Sequence, residues 1–306
     1  MASHPHAGPT GRFADEEIAA MSFTHRPLSA RPFGVEVLDL DLSRPLDAAT
    51  FKRLRDLWLA YAVVVFRNQT MTPAEQIAFS KRIGELEEHS LNQFTMAEHP
   101  EIFVISNVVE QGRQIGAPKA GRHWHSDGHY TVKPSMGSLM LAREVPAENG
   151  DTLFADLRAA YDALPAATKA RIRDLQVLVS RQKAYPISYP DRPPLTDAQR
   201  AKLPDVVHPL CRTHPESGRP LLYVGGTVVW EIVGMPLEEG RALIQELREF
   251  ATQERFVYGH HWQVGDAVLW DNRCTMHCAT PFDESRYRRL MHRTTIKGDA
   301  PFFRAA

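Results

Sequence analysis

The sequence predicts a mainly β fold, a jelly-roll core with flanking helices. Three observations lead there: many short strand-like runs, a minority of helix-periodic segments, and no internal repeat or composition break marking a second domain. Residues 1–22 are rich in Ala, Gly, Pro and His without sustained periodicity. They are expected to form a flexible N-terminal tail, leaving 23–306 as one domain.

The elements follow in order. A strand is expected around Phe33–Leu40. Asp47 opens a helical pattern with Phe51, Leu54, Leu57, Trp58 and Tyr61 on one face, and the apolar run Ala62–Phe66 reads as a buried strand. Thr72, Pro73 and Glu75 make a capping box with proline at the first helical position, an unambiguous helix start. Ile102–Val108 and Ser138–Val145 read as strands, and Asp156–Leu175 as helix divided at Pro165. The proline-rich stretch 184–205 reads as a long loop or lid. Strands Val206–Thr213 and Leu221–Gly225 flank a turn at His214–Arg219. Helix Leu237–Thr252 and strands Arg255–Trp262, Ala267–Trp270 and Arg289–Ile296 complete the chain.

Composition narrows the function classes. Lys and Arg number 36 against 37 Asp and Glu, a net charge of −1, so nothing global steers the chain toward nucleic acid or an anionic membrane. Apolar runs such as Tyr61–Phe66 are far shorter than the roughly 20 residues that cross a bilayer. The opening residues have neither a basic start nor an apolar stretch. The three cysteines, Cys211, Cys274 and Cys278, form no CxxC pair, which suits reduced thiols and a cytoplasmic location. Expected partners are a small anionic organic substrate and further copies of the chain.

Three His-x-acid pairs occur: His99-Pro-Glu101, His125-Ser-Asp127 and His214-Pro-Glu216. The first and third carry proline at turns and are read as structural. On an extended strand, His125 and Asp127 would point to one side and offer an imidazole and a carboxylate together. One more imidazole on that face completes the set that holds a redox-active iron with open positions. His277, after Trp270-Asp-Asn-Arg-Cys-Thr-Met-His277, is the candidate. A soft zinc cluster of His277 with Cys274 and Cys278 is the rival site, and it leaves His125 and Asp127 unexplained.

Four ordered blocks carry a resemblance: Trp124-His-Ser-Asp127, Gly150-Asp-Thr152, Trp270–His277 and Arg288-Arg-Leu-Met-His-Arg293. From about Pro27 to Pro301 the chain resembles the taurine dioxygenase family of Fe(II)/2-oxoglutarate-dependent oxygenases, which includes phenoxyacetate-herbicide dioxygenases. The resemblance implies a double-stranded β-helix (jelly-roll, cupin-like) core. It implies Fe(II), 2-oxoglutarate and O₂ as cofactor and cosubstrates, with succinate and CO₂ as coproducts of hydroxylation. Carried over, the catalytic metal ligands fall on His125, Asp127 and His277. Arg289 grips the far carboxylate of 2-oxoglutarate and Thr152 donates a hydroxyl to it.

Strand parity puts Arg289, Met291 and Arg293 on one face and Arg288, Leu290 and His292 on the other, so Arg288 is the solvated arginine. The spacing from His277 to Arg289 is 12 residues, one more than in the family's best-known members, and the extra residue is placed in the Ala279–Tyr287 loop.

His89 and Arg293 match substrate-binding positions and would form a cationic pocket for a sulfonate, sulfate ester, phenoxyalkanoate or other carboxylate. Gly121-Arg-His123, His129 and Tyr130 depart from the pattern of a strict taurine enzyme. Ala159–Leu164 and Phe256-Val-Tyr258 look closer to the herbicide-cleaving branch. Trp124 and Trp270 are read as packing beside the metal strand. The carboxylate ligand Asp127 argues against halogenation. Two other classes stay open on the residues: a zinc-dependent hydrolase on the same trio, and a non-catalytic small-molecule-binding protein.

Overall fold

The computed structural model describes residues 23–88, 92–190 and 193–304, so the expected tail, His89 and the last two residues of the domain lie outside the described residues. An eight-stranded sheet forms the body, in the order Thr24–Pro27, Val35–Leu38, Val63–Phe66, Ala267–Asp271, Gly137–Glu144, Leu290–Ile296, His99–Ser106 and Thr95–Met96. All its pairings are antiparallel except Val35–Leu38 with Val63–Phe66. A three-stranded sheet, Val257–His260, Thr152–Asp156 and Thr275–Ala279, packs on one face. A second three-stranded sheet, Val206–Pro209, Gln176–Val179 and Val229–Ile232, and the hairpin Cys211–Thr213/Pro220–Leu222 come from the chain between Thr152–Asp156 and Val257–His260. Seven helices flank these sheets among the described residues, and the whole is mostly β.

Period-two alternation sorts the large sheet's side chains. Val64 and Phe66, Leu139 and Leu141, and Leu269 turn to one face, where they pack with Leu54, Trp58, Ile77 and Phe79 of helices Ala48–Tyr61 and Pro73–Ile83. Val63, Val65, Met140, Ala142, Val268, Trp270 and Met291 turn to the other and pack with Phe154 of the small sheet. Both faces are covered, so Val63–Phe66 is an unbroken apolar run rather than an alternating one. The site lies on the inner face: Trp270 meets Phe154 at 5.7 Å and His277 at 4.9 Å between ring centroids.

The helix starts are as read. Asp47 accepts from the amides of Ala49 and Thr50, both at 2.9 Å, and the Thr72/Glu75 capping box is closed from both sides. Pro165 divides the helical stretch as expected and serves as the N-cap of Ala166–Ile172. The stretch 184–205 is corrected: helix Arg181–Ser188 runs into it, capped by the Ser180 hydroxyl, and a second capping box, Thr196 with Gln199, starts helix Asp197–Ala201. Pro186 is tolerated in a short helix, whose only buried residue is Ala184. The strand expected at Arg255–Trp262 begins as a 3₁₀ turn, Glu254–Phe256, and is extended only over Val257–His260.

Gly137 marks the closest approach of helix and sheet. A Cβ there would stand 2.7 Å from Trp58 Cζ2 and 2.8 Å from the Trp270 carbonyl oxygen. Gly137→Ala is therefore expected to cost about 1–3 kcal/mol, read as a lowered urea midpoint at unchanged slope.

Candidate active site

His277 comes from the inner face of strand Thr275–Ala279, which pairs with Thr152–Asp156 so that His277 stands opposite Phe154 and Ala279 opposite Thr152. His125 reaches it from a distant segment through two backbone bonds, His125 N–H to His277 O at 3.0 Å and His277 N–H to His125 O at 2.8 Å. Gly226 bridges His125 on its other side with φ of +91°, and a Cβ there would lie 2.2 Å from the Trp124 carbonyl oxygen. Only glycine fits that contact. The expectation of an extended strand through Asp127 is corrected: His125 is a single bridge residue, and Asp127 opens the turn that follows. Two partners hold His125 extended, and none continues the ladder past it.

The three side chains nevertheless converge. His125 Nε2 lies 3.7 Å from Asp127 Oδ1, and His277 Nε2 lies 4.0 Å from Asp127 Oδ2. The ligand atoms all fall within 4.8 Å of one another. Atoms about 2.1 Å from a shared ion at right angles sit about 3 Å apart, so small rotamer adjustments close the trio on one metal. His125 Nδ1 donates to the His123 carbonyl oxygen at 2.8 Å, which leaves Nε2 as the lone-pair nitrogen facing Asp127. Two imidazoles and one carboxylate suit a divalent iron with open positions.

Three side chains hold the carboxylate. Asp127 Oδ2 accepts from Ser138 Oγ at 2.8 Å and Asn272 Nδ2 at 3.4 Å, and Oδ1 accepts from Arg293 Nη1 at 2.8 Å. Asn272 Oδ1 accepts from Trp270 Nε1 at 2.9 Å and from the Asp127 amide at 3.2 Å. Indole nitrogen only donates, so this contact fixes which way the Asn272 amide points. Burial alone would raise Asp127, but Arg293 and the two imidazoles overcome it and hold the carboxyl well below the usual range. Burial, with Arg293 adding to it, lowers both His125 and His277, His277 the further because His125 also repels its charge. All three groups are therefore in ligand form at neutral pH.

The arginines of the closing strand divide as parity predicts. Arg288 is 55% exposed and pairs with Glu144 at 2.6 Å. Arg289 is 6% exposed, and burial pushes its guanidinium down to about 10. Among the described residues no carboxylate comes within ion-pair distance of it, and its Nε has no hydrogen-bond partner. The buried Arg158, Arg212 and Arg273 contrast with it, pairing with Asp156, Asp299 and Asp271 at 3.0, 3.0 and 2.7 Å. A buried cation lacking its own counter-ion is a seat for an anion from outside. Arg289 lines a small partly open cavity with Ile105, Asn107, Ala117, Thr280 and Phe282. Thr152 borders this region through its pairing with Ala279, and its hydroxyl accepts from Trp262 Nε1 at 2.9 Å, which leaves its own hydrogen to donate. Arg293 stands at the carboxylate of the trio, over the Phe103 ring at 5.3 Å. His89 lies outside the described residues.

Of the other His-x-acid pairs, His99 and Glu101 join no such group among the described residues, while His214 lies with Asp271 and Cys274, their ligand atoms within 4.8 Å of one another. Glu101 pairs with Lys81, and His214 is locked into a buried network in which its Nε2 donates to Asp271 and its Nδ1 accepts from the amides of Glu216 and Ser217. Arg273 bridges Asp271 and Glu216 in that network. Cys274 lies beside Asp271, and Cys278 donates to the Arg122 carbonyl oxygen; burial raises both thiols, and among the described residues His277, Cys274 and Cys278 do not come together as a metal-holding group. Trp270 is fully buried and Trp124 packs at the core's margin.

Sequence reasoning missed Ser138, Asn272 and Asn107. Asn107 accepts from the Arg289 amide at 2.8 Å and donates to the Tyr287 carbonyl oxygen at 2.9 Å, pinning the end of the loop that delivers Arg289. Asn272 lay inside the quoted Trp270–His277 block, a signal that was available. Ser138 and Asn107 had none.

Two outcomes follow. Asn272→Ala, which frees one side of Asp127, is expected to weaken Mn(II) binding about 10–100-fold, measured by titration. Arg293 favours the charged carboxylate and disfavours charged imidazoles, so metal binding is expected to hold below pH 6.5. In Arg293→Met the edge should move to higher pH, as followed by Co(II) absorbance across a pH series.

The model of the family described as taurine catabolism dioxygenase TauD, TfdA family matches residues 24–295. The chain is 38% identical over 290 residues to an alpha-ketoglutarate-dependent 2,4-dichlorophenoxyacetate dioxygenase of Cupriavidus pinatubonensis, covering 90% of this chain and 98% of the relative. It is 36% identical over 292 residues to an (S)-phenoxypropionate/alpha-ketoglutarate-dioxygenase of Sphingobium herbicidovorans, covering 91% and 96%. The solved structure of AAD-2 in complex with Mn(II) and N-oxalylglycine superposes with a TM-score of 0.79 at 35% identity, covering 92% of this chain and all of that one. With its match spanning nearly every described residue, the chain belongs to the taurine catabolism dioxygenase TauD, TfdA family.

Proposed function

We propose that this protein is an Fe(II)- and 2-oxoglutarate-dependent dioxygenase that hydroxylates a small organic anion, with His125, Asp127 and His277 as the metal ligands. The observation that carries the reading is the convergence of two neutral imidazoles and one charged carboxylate, from segments about 150 residues apart, at the inner face of the large sheet. In this reading the two facing sheets are the halves of a double-stranded β-helix closed around the trio, and the three free thiols fit a cytoplasmic setting.

Iron bound here with 2-oxoglutarate and O₂ supplies the oxidising power for C–H hydroxylation, with succinate and CO₂ as coproducts. The chain's own residues do the rest. Ser138, Asn272 and Arg293 fix the carboxylate ligand, and the His123 carbonyl fixes the tautomer of His125. Arg289 offers its fork to the far carboxylate of 2-oxoglutarate, and Thr152 adds a hydroxyl. Trp270 and Phe154 wall the trio with apolar surface, which keeps bulk water from the reacting carbon.

The substrate class is a phenoxyalkanoate, sulfonate, sulfate ester or related carboxylate. Arg293 and His89 provide the positive charge that selects an anion, and the phenoxyalkanoate relatives favour an aryl-bearing acid. The deciding assay is substrate-dependent succinate release across phenoxyalkanoates, sulfonates, sulfate esters and their neutral amides. Anions are expected to turn over and neutral analogues to fail; Asp127→Ala should abolish succinate release with every compound. Arg289→Ala is expected to raise the KM for 2-oxoglutarate at least tenfold, because a buried charge pair of this kind is worth about 2–5 kcal/mol.

A further inference from the structure

Thr280 has no role in the reading so far, yet its side chain is in an unusual state. Its Oγ1 is buried and has no hydrogen-bond partner, and it lines the same cavity as Arg289, whose Nε is also buried and unpartnered. The cavity is lined by the apolar Ile105, Ala117 and Phe282 and also by the charged Lys119, Arg122 and Glu284. An unpaired hydroxyl in such surroundings costs about 1–3 kcal/mol, and buried polar groups are overwhelmingly paired. Two unsatisfied donors facing one cavity, one cationic and one neutral, are what a two-oxygen anion satisfies at once.

The backbone holds this hydroxyl in place. Thr280 N–H donates to the Asp151 carbonyl oxygen at 2.9 Å, and Ala279 N–H donates to that of Gly121 at 2.7 Å. Thr280 directly follows the strand that carries His277, three residues on.

We infer that Thr280 is a cosubstrate-binding residue whose hydroxyl donates to the far carboxylate of 2-oxoglutarate beside Arg289. This rests on the assignment of Arg289 as the seat of that carboxylate. The strand Thr275–Ala279 and its next residue thereby hold both ends of the cosubstrate, through His277 at the metal and Thr280 at the tail. Thr152, across the strand from Ala279, is then a neighbouring donor rather than the sole hydroxyl at the seat.

Calorimetric binding to the full-length Mn(II)-loaded protein tests this without turnover. The ligands are 2-oxoglutarate and 2-oxobutyrate, which keeps the keto acid end but lacks the far carboxylate. Thr280→Val is expected to weaken 2-oxoglutarate about tenfold, the scale of one charge-assisted hydrogen bond, and to leave 2-oxobutyrate unchanged; Thr280→Ser should restore wild-type binding. The proposal is overturned if Thr280→Val binds 2-oxoglutarate within twofold of the unaltered protein while Arg289→Ala loses affinity. It is equally overturned if Thr280→Val weakens both ligands alike, which is the signature of a disturbed wall. If Arg289→Ala also binds 2-oxoglutarate normally, the seat itself is wrong.

Discussion

The structure turns on one buried carboxylate. Moving a charged Asp127 from water to the inner face of a sheet is costly, and the protein offsets that cost with donors placed around both oxygens. Ser138 and Arg293 are inward residues of adjacent strands of the large sheet, at positions where parity would otherwise supply apolar side chains such as Met140 and Met291. Asn272 follows the next strand and is itself aimed by the indole of Trp270. The same low-dielectric surroundings that demand these donors keep His125 and His277 neutral. Metal affinity and sheet packing are thus set by one group of contacts.

A second constraint has the opposite sign. Among the described residues, Arg158, Arg212 and Arg273 are matched internally, and Asp271, Arg273, Glu216 and His214 form one such network. Such a network specifies packing and leaves no capacity for a ligand. Arg289 differs from Arg158, Arg212 and Arg273: it is a cation brought inside with its backbone pinned by Asn107 and, among the described residues, no carboxylate at its head. The contrast separates arginines matched inside the protein from one left without a carboxylate partner. Exposure alone does not separate them; the presence or absence of a counter-ion does.

Local signals in the chain were read where the physics is local. The Asp47 cap, the Thr72/Glu75 box and the apolar run Val63–Phe66 depend on neighbours within a few residues, and they stand where spacing put them. The 184–205 stretch misled because its prolines are strong punctuation, while the short capped helices between them gain stability from packing that no periodicity displays. The His125–Asp127 pair was found for an incomplete reason. An extended strand was expected, whereas one bridge residue and a turn bring the two groups together.

By itself the sequence determined the β-rich class, the helix starts, the solvated Arg288 and, through four ordered blocks, the trio His125, Asp127 and His277. Those features rest on residue type, on periodicity of two or 3.6, and on short motifs. Only the tertiary structure decided that Ser138, Asn272 and Arg293 share one carboxylate, that His214 is bound into a closed network, and that Thr280 and Arg289 face a common cavity unpaired. Those facts depend on which strands lie side by side. Sheet order joins residues more than 100 positions apart, and hydrogen-bond satisfaction is a property of the neighbours a side chain finally meets.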